Sequence, residues 1–134
     1  MKVLFDAIHA RWLAQGKLGL TDLYTVEAPA LSTEDGDGGS VYPYGTVSTN
    51  IVADDPGFGE EGEDCLIMFA LFSETISHVE VCASFELFKA AFDKHNLAIT
   101  GYGTIILMRA GANLIRVDKI WQYAITYRLL IQKE

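Results

Sequence analysis

Two segments of the chain repeat apolar residues at the three- and four-residue spacing of an α-helix. The first spans residues 3–15 and ends at Gly16, and its apolar positions are Val3, Leu4, Ala7, Ile8 and Trp12. The second follows the capping-box pair Ser77 and Glu80, and its apolar stripe is Val81, Phe85, Phe88 and Phe92. These patterns predict two amphipathic helices and place Phe85 and Phe88 in the core.

The rest of the chain contains shorter segments that are typical of strands. In chain order they are residues 23–31, 42–52, 65–74, 104–109, 114–117 and 120–132, with a turn at 110–113. Pro29 makes the first of these a short or edge strand, because proline cannot donate to a sheet ladder. Residues 65–74 are apolar on both faces, which indicates a central strand.

The last strand is unusually long and alternates well. One face carries Trp121, Tyr123, Ile125, Tyr127, Leu129 and Ile131. At about 3.3 Å per residue the segment would extend roughly 43 Å, so it must bend, contain a bulge or run past its own domain. Core packing is the simpler explanation for its aromatic face, although a ligand could also bind there.

The order of these elements predicts the fold class. Strands joined by short turns, with only two helices among them, favour an α+β fold over a parallel sheet built from βαβ units. We therefore expect residues 1–134 to form a single domain, in which two helices pack on one face of an antiparallel sheet.

The stretch GFGEEG at residues 57–62 matches the glycine pattern of a dinucleotide-binding loop. That motif requires a helix directly after it, whereas this stretch lies between two predicted strands. Its surroundings are also strongly acidic, with carboxylates at Asp54, Asp55, Glu60, Glu61, Glu63 and Asp64. These carboxylates would repel a pyrophosphate, so the pattern predicts an acidic hairpin loop.

Charge is distributed unevenly along the chain. Residues 1–64 contain 12 Asp and Glu against 3 Lys and Arg, a net charge of −9, whereas residues 65–134 contain 6 against 7, a net of +1. A basic patch for gripping nucleic acid is therefore not expected. The acidic segments are either solvated loops or a surface that repels something negative.

The sequence signals for other metal-binding or catalytic sites are weak. EDGDGGS resembles the start of a calcium-binding loop, but Gly39 and Thr46 occupy ligand positions. The three histidines lie far apart, and no nucleophile signature surrounds any Ser or Cys. We therefore expect no catalytic residue, no metal and no cofactor. The spacing of Cys65 and Cys82 leaves a disulfide open, and the absence of a signal peptide or membrane span favours cytoplasmic synthesis.

The order of certain motifs resembles a known family. VYPYGTVS enters a strand after the first helix, FSETIS precedes the second helix, and ITYRLLIQK closes the chain. This arrangement is similar to that of the tail-component family of long-tailed bacteriophages and prophages, which includes tail-completion and tail-to-head joining proteins with a lambda tail-terminator-like fold. In place of the Trp and Ser or Thr that often precede the family's central strand, this chain has GFGEEGED.

The resemblance implies a structural protein of the virion tail or neck that does no catalysis. Such proteins form hexameric rings that cap the tail tube, stop its polymerisation and dock to the head connector, while DNA passes through as cargo. The tube protein, the head-completion protein and other copies of the chain would be its partners, and a monomer in isolation remains compatible with this. The six carboxylates would then face the ring channel, where they would let DNA phosphates slide.

Three other hypotheses remain open on sequence alone. The chain could be a small-molecule or peptide-binding module that uses the aromatic face of its last strand. It could be an enzyme of an unrecognised type. It could also take a neighbouring phage role such as head closure.

Overall fold

The computed structural model describes residues 2–25, 42–54, 62–74, 77–99 and 101–133. Two helices and five strands make up most of these residues, and a 3₁₀ helix, Gly16–Gly19, follows the first helix. In chain order the elements are α1 (Lys2–Ala14), β1 (Asp22–Thr25), β2 (Tyr44–Asp54), β3 (Gly62–Ser73), α2 (Val79–Phe92), β4 (Tyr102–Val117) and β5 (Ile120–Lys133).

The five strands form one sheet in the order β1-β2-β3-β5-β4. The predicted α+β class is confirmed, but the sheet is mixed, because β1 pairs with β2 in parallel while the other neighbours are antiparallel. A parallel pair needs a crossover of about a dozen residues or more. Residues 26–43 supply that length, whereas a tight hairpin would have forced the antiparallel arrangement.

The core lies between one sheet face and the two helices. Alternate residues of β3 and β5 point into it, namely Cys65, Ile67, Phe69, Leu71, Ile125, Tyr127, Leu129 and Ile131. Phe69 contacts two rings of α2, with ring centroids 5.0 Å from Phe88 and 5.1 Å from Phe92. Phe85 and Phe88 are both buried, which confirms their predicted place in the core. Aromatic pairs at such distances add stability beyond the area that they bury.

Helix α1 is held in the same core by its predicted apolar face. Leu4, Ile8 and Trp12 are buried among the other core residues. Polar contacts fix the helix at its sides: His9 Nε2 lies 2.7 Å from the Leu23 carbonyl oxygen, and Arg11 Nε donates to the Ala91 carbonyl oxygen. Helix α1 is thus bound both to the edge strand β1 and to the end of α2.

Helix α2 is anchored to the end of β3 by hydrogen bonds around its first turn. Ser77 Oγ accepts from the Val79 amide at 3.2 Å, but the N-cap residue of α2 is His78, one position after the Ser77 that the sequence predicted. Glu80 accepts a bond of 2.7 Å from the hydroxyl of Ser73, the last residue of β3. This bond joins the end of β3 to the first turn of α2.

Strand β4 is continuous through the segment where the sequence predicted a turn. Residues 111–113 pair with β5, and the chain reverses at Asp118 and Lys119 instead. Extra residues at Ile105 and Ala110 form bulges in β4. Strand β5 is paired on both sides along nearly its whole length, so it does not run past the sheet.

Two strand glycines test how tightly the core is packed. A Cβ atom at Gly45 would lie 2.9 Å from Leu20 Cδ1 and 3.2 Å from Leu23 Cδ1, whereas one at Gly111 would have no neighbour within 4 Å. We expect Gly45→Ala to lower the free energy of unfolding by about 1–3 kcal/mol through overpacking. Gly111→Ala, the matched control, should leave it unchanged or slightly raised in chemical denaturation. Equal effects of the two variants would contradict this packing of β1.

Candidate assembly surfaces

The acidic segment lies at one end of the sheet, where β2 and β3 meet. Asp54 pairs with Glu63 at the end of this hairpin, so both residues belong to strands and the predicted loop is shorter than expected. Asp55, Glu60 and Glu61 lie outside the described residues. The strands extend because the backbone pairing between β2 and β3 continues past a bulge at Val52.

Asp64, one of the six predicted channel residues, forms an ion pair within the sheet. It lies on β3, only 7% exposed, and accepts two bonds from Arg128 on β5, at 3.1 Å from Nε and 2.6 Å from Nη2. Such a bidentate pair is the strongest geometry that a guanidinium and a carboxylate adopt. Asp64 is therefore occupied by a partner in its own chain, and removing Arg128 would leave a buried carboxylate unpaired.

The sheet face opposite the helices, which we term the open face, is largely uncharged. Its side chains on β3 and β5 include Leu66, Met68, Ala70, Phe72, Gln122, Ala124, Thr126 and Leu130. Among the described side chains of this face on these two strands, only Asp64 and Arg128 carry charge. Met68 is 39% exposed, and Met108 on the neighbouring β4 is 47% exposed. A solvated sheet face is usually polar, so the apolar side chains on β3, β5 and β4 make this face a candidate contact surface.

The aromatic face of β5 is filled by the chain's own residues. Ile125, Tyr127, Leu129 and Ile131 are completely buried. Tyr123 stacks on Phe85 of α2, with ring centroids 4.1 Å apart and planes 10° apart. The buried part of this face therefore packs against the chain's own core residues.

A polar network closes the core at the end of α2. The Tyr127 hydroxyl donates to Asp93 Oδ1 at 2.5 Å, and Asp93 Oδ2 lies 3.1 Å from Arg109 Nη1 on β4. Burial, and then the hydrogen bond to Asp93, raise the pKa of Tyr127 above its usual value. The network connects β5, α2 and β4, and its geometry suits a structural clamp.

Metal-binding groups, disulfides and membrane-spanning helices were also sought among the described residues. The described residues contain no group of three or more His, Cys, Asp or Glu side chains that could hold a metal ion. Both cysteines are free, which settles the question of a disulfide between them. None of the described helices has the length and apolar character that crossing a membrane requires.

Comparison with known proteins adds a likeness of fold. No protein-family model matches the chain, and no curated protein sequence matches it. Among solved structures, the chain is similar to one from a structure titled "Virion of native gene transfer agent (GTA) particle", with a TM-score of 0.73. The two are 13% identical, and the match covers 93% of this chain and 91% of the other. At this identity the likeness shows a shared fold.

The Tyr127 network predicts a specific loss of stability in alkali. Because its pKa is higher in the folded state, Tyr127 contributes stability below the ordinary tyrosine value of 10.0, and this is lost as the pH rises above it. Tyr127→Phe should cost about 1–3 kcal/mol at neutral pH, since a bond to a charged group is lost.

This loss of stability is checked by denaturing the parent protein and the Tyr127→Phe variant at pH values from neutral to above the ordinary tyrosine pKa. The decline in stability should be shallower in Tyr127→Phe, which cannot ionise at this position. Part of the decline should remain in Tyr127→Phe, because burial also raises the pKa of Tyr44. Equal declines in the two proteins would show that Tyr127 ionises as freely in the folded state as in the unfolded chain.

Proposed function

We propose that the chain is a structural subunit of a phage-like particle, without catalytic activity. In this role it forms a ring that terminates the tail tube and docks to the head connector. The observation that carries the proposal is the likeness of fold to a chain of a gene transfer agent virion over 93% of the present chain. The same fold class follows independently from the sequence pattern and from the strand order.

The surfaces of the subunit support an assembly role. A largely uncharged sheet face with exposed methionines is a liability in a free monomer, and contact with neighbours would cover it. The small-molecule-binding hypothesis finds no comparable support, because the aromatic face of β5 is packed by Phe85 and other core residues. The tube protein and the head-completion protein are the partners proposed for these surfaces.

The acidic hairpin is proposed to line the channel through which DNA passes. The channel set is now Asp54, Asp55, Glu60, Glu61 and Glu63, since Asp64 is paired with Arg128. Fixed negative charge repels phosphate and keeps DNA from sticking as cargo. The five carboxylates of each subunit would be repeated around the ring.

Particles made without the protein test the role. A stop codon early in its gene should give heads that lack tails and free tails of irregular length, because nothing ends tube polymerisation. Electron microscopy of the particles measures both properties, and a plasmid copy of the intact gene should restore them. Tails of normal length with unjoined, leaking heads would favour a head-closure role, and normal particles would refute both.

The channel hypothesis predicts how charge affects self-association. In Glu60→Gln with Glu61→Gln, two carboxylates per subunit are removed, so mutual repulsion at low salt should fall and self-association should strengthen. The matched control is Glu74→Gln with Glu86→Gln, which removes the same charge from exposed positions outside the hairpin.

Sedimentation at several protein concentrations measures both variants against the parent. The hairpin variant should associate more strongly than the control, and its unfolding midpoint should be unchanged. Weaker association than the parent would mean that these carboxylates make attractive contacts, and the channel assignment would then be wrong.

A further inference from the structure

Strand β4 leaves half of its outer edge without a backbone partner among the described residues. Nearer its start the chain covers this edge itself, since the Lys94 amide donates to the Leu107 carbonyl oxygen at 2.9 Å. Residues 111–117, which we term the distal edge, lie beyond this cover at the margin of the sheet. All of them except the half-buried Leu114 are exposed, so neither described helix covers this part of the sheet.

The direction of the backbone groups along the distal edge follows from its hairpin. In an antiparallel pair, residues bonded to the neighbouring strand alternate with residues whose amide and carbonyl groups point away from it. The turn at residues 118–119 is a two-residue loop, so the flanking pair of Val117 and Ile120 is a bonded one. Counting back from Val117, the residues with outward groups are Ala112, Leu114 and Arg116.

The covered half of the strand agrees with this count. With the extra residue at Ala110 included, the alternation places the groups of Leu107 outward, where the Lys94 amide binds its carbonyl oxygen. In the distal edge the described residues provide no such bond. Proteins normally cover or charge an edge of this kind, because another strand can pair with it.

A second copy of the distal edge fits this margin when the two strands run antiparallel about a twofold axis at Leu114. Outward groups then face outward groups along the whole segment, with Ala112 opposite Arg116 of the second copy. Any other symmetric register would bring the bulge at Ala110 or the turn at Asp118 into the ladder. The edge therefore specifies one register with a copy of itself.

Side-chain size matches in this register on the open face. Val117, which is 56% exposed, lies opposite Gly111 of the second copy, where an added Cβ atom would have no neighbour within 4 Å. Ile115, which is 39% exposed, lies opposite the smaller Asn113. Each large apolar side chain thus lies beside a smaller residue, so the contact covers part of it without overlap.

The register also keeps like charges apart. The two Arg116 side chains lie four residues from each other along the strands, about 13 Å at roughly 3.3 Å per residue. That distance exceeds the screening length of about 8 Å at physiological salt. Beyond the paired segment, Asp118 and Lys119 offset each other, and Arg109 is bonded to Asp93 of its own chain.

We propose that two free copies pair through their distal edges, antiparallel about a twofold axis at Leu114, so that their two five-stranded sheets become continuous. Such a contact is closed, because each copy uses the same edge. It therefore differs from the repeated contact of a ring and goes beyond the proposed function, since it protects the edge of the subunit before assembly. The contact is small for a protein interface, so the dimer should be weak.

Disulfide trapping between two proteins tests the register. One protein carries Asn113→Cys and the other Ile115→Cys, both in a Cys82→Ser background, and the remaining native thiol, Cys65, is completely buried. The proposed register makes positions 113 and 115 of different copies direct neighbours in a closely spaced, non-bonded pair. The matched control mixes Asn113→Cys with Leu114→Cys, because position 114 lies on the opposite face of the sheet.

The two proteins are mixed in equal amounts and oxidised with diamide, and intact mass distinguishes mixed dimers from homodimers. The first mixture should give at least about ten-fold more mixed dimer than the control, since a disulfide needs Cβ atoms within roughly 4.5 Å. Either protein oxidised alone should give little dimer, because identical positions lie diagonally, about 7–8 Å apart. A yield of mixed dimer no higher than that of the control or of the homodimers would overturn the proposal.

Removal of one outward amide tests the contact without a cysteine. Ala112→Pro removes an N–H group that points away from β5, and an edge strand tolerates proline at such a position. The matched control, Ala112→Ser, keeps the amide. In sedimentation the parent should show a reversible equilibrium of monomer and dimer, which Ala112→Pro should weaken at least about ten-fold and Ala112→Ser should leave unchanged.

Unfolding midpoints establish that both variants are folded, and the cross-linking result decides if the proline variant is not. Unchanged association in a folded Ala112→Pro protein would overturn the proposal, as would a parent that stays monomeric up to the millimolar range. Closed rings in a parent that forms no edge-paired dimer would refute this inference and leave the proposed function standing.

Discussion

Burial of one sheet face beneath two helices is the constraint on which the rest of the structure depends. The contacts of Phe69 with Phe88 and Phe92 hold α2 against the middle of the sheet, and Tyr127 and Asp93 fix its end. The two helices cover one face of the five-stranded sheet, and no element among the described residues covers the other. The open face is therefore a consequence of how this core is built.

The sequence predicted those parts of the fold that depend on local periodicity. The stripe of α2 and the alternation of β5 are dictated by which side chains must face the core, so both were predicted correctly. The turn predicted at residues 110–113 was wrong because Gly and Asn favour turns locally, whereas pairing with β5 imposes a strand with a bulge at Ala110. The parallel partner of β1 also lay beyond prediction, since no local pattern specifies which strand a segment will pair with.

The candidate surfaces also could be predicted from the sequence only as far as local composition allows. The acidic composition of residues 54–64 is visible in the sequence, but Asp64 and Arg128 are 64 residues apart, and only the register of β3 on β5 brings them together. The topology likewise decides where the acidic and basic segments of the chain lie in the sheet. Because β3 and β5 are antiparallel, the acidic β2–β3 hairpin and the basic end of the β4–β5 hairpin lie at opposite ends of the sheet.

The exposed sheet surface that suits this protein to assembly also favours aggregation of the free subunit. Several features of the chain limit such aggregation. The pair of Asp64 and Arg128 places charge at one end of the open face, which disfavours unspecific stacking of two such faces. Bulges at Ile105 and Ala110 interrupt the long edge strand, and Arg116 adds charge beyond them. Selectivity of this kind is what an oligomer of defined size requires, because a sheet that could pair with any copy in any register would aggregate instead of closing.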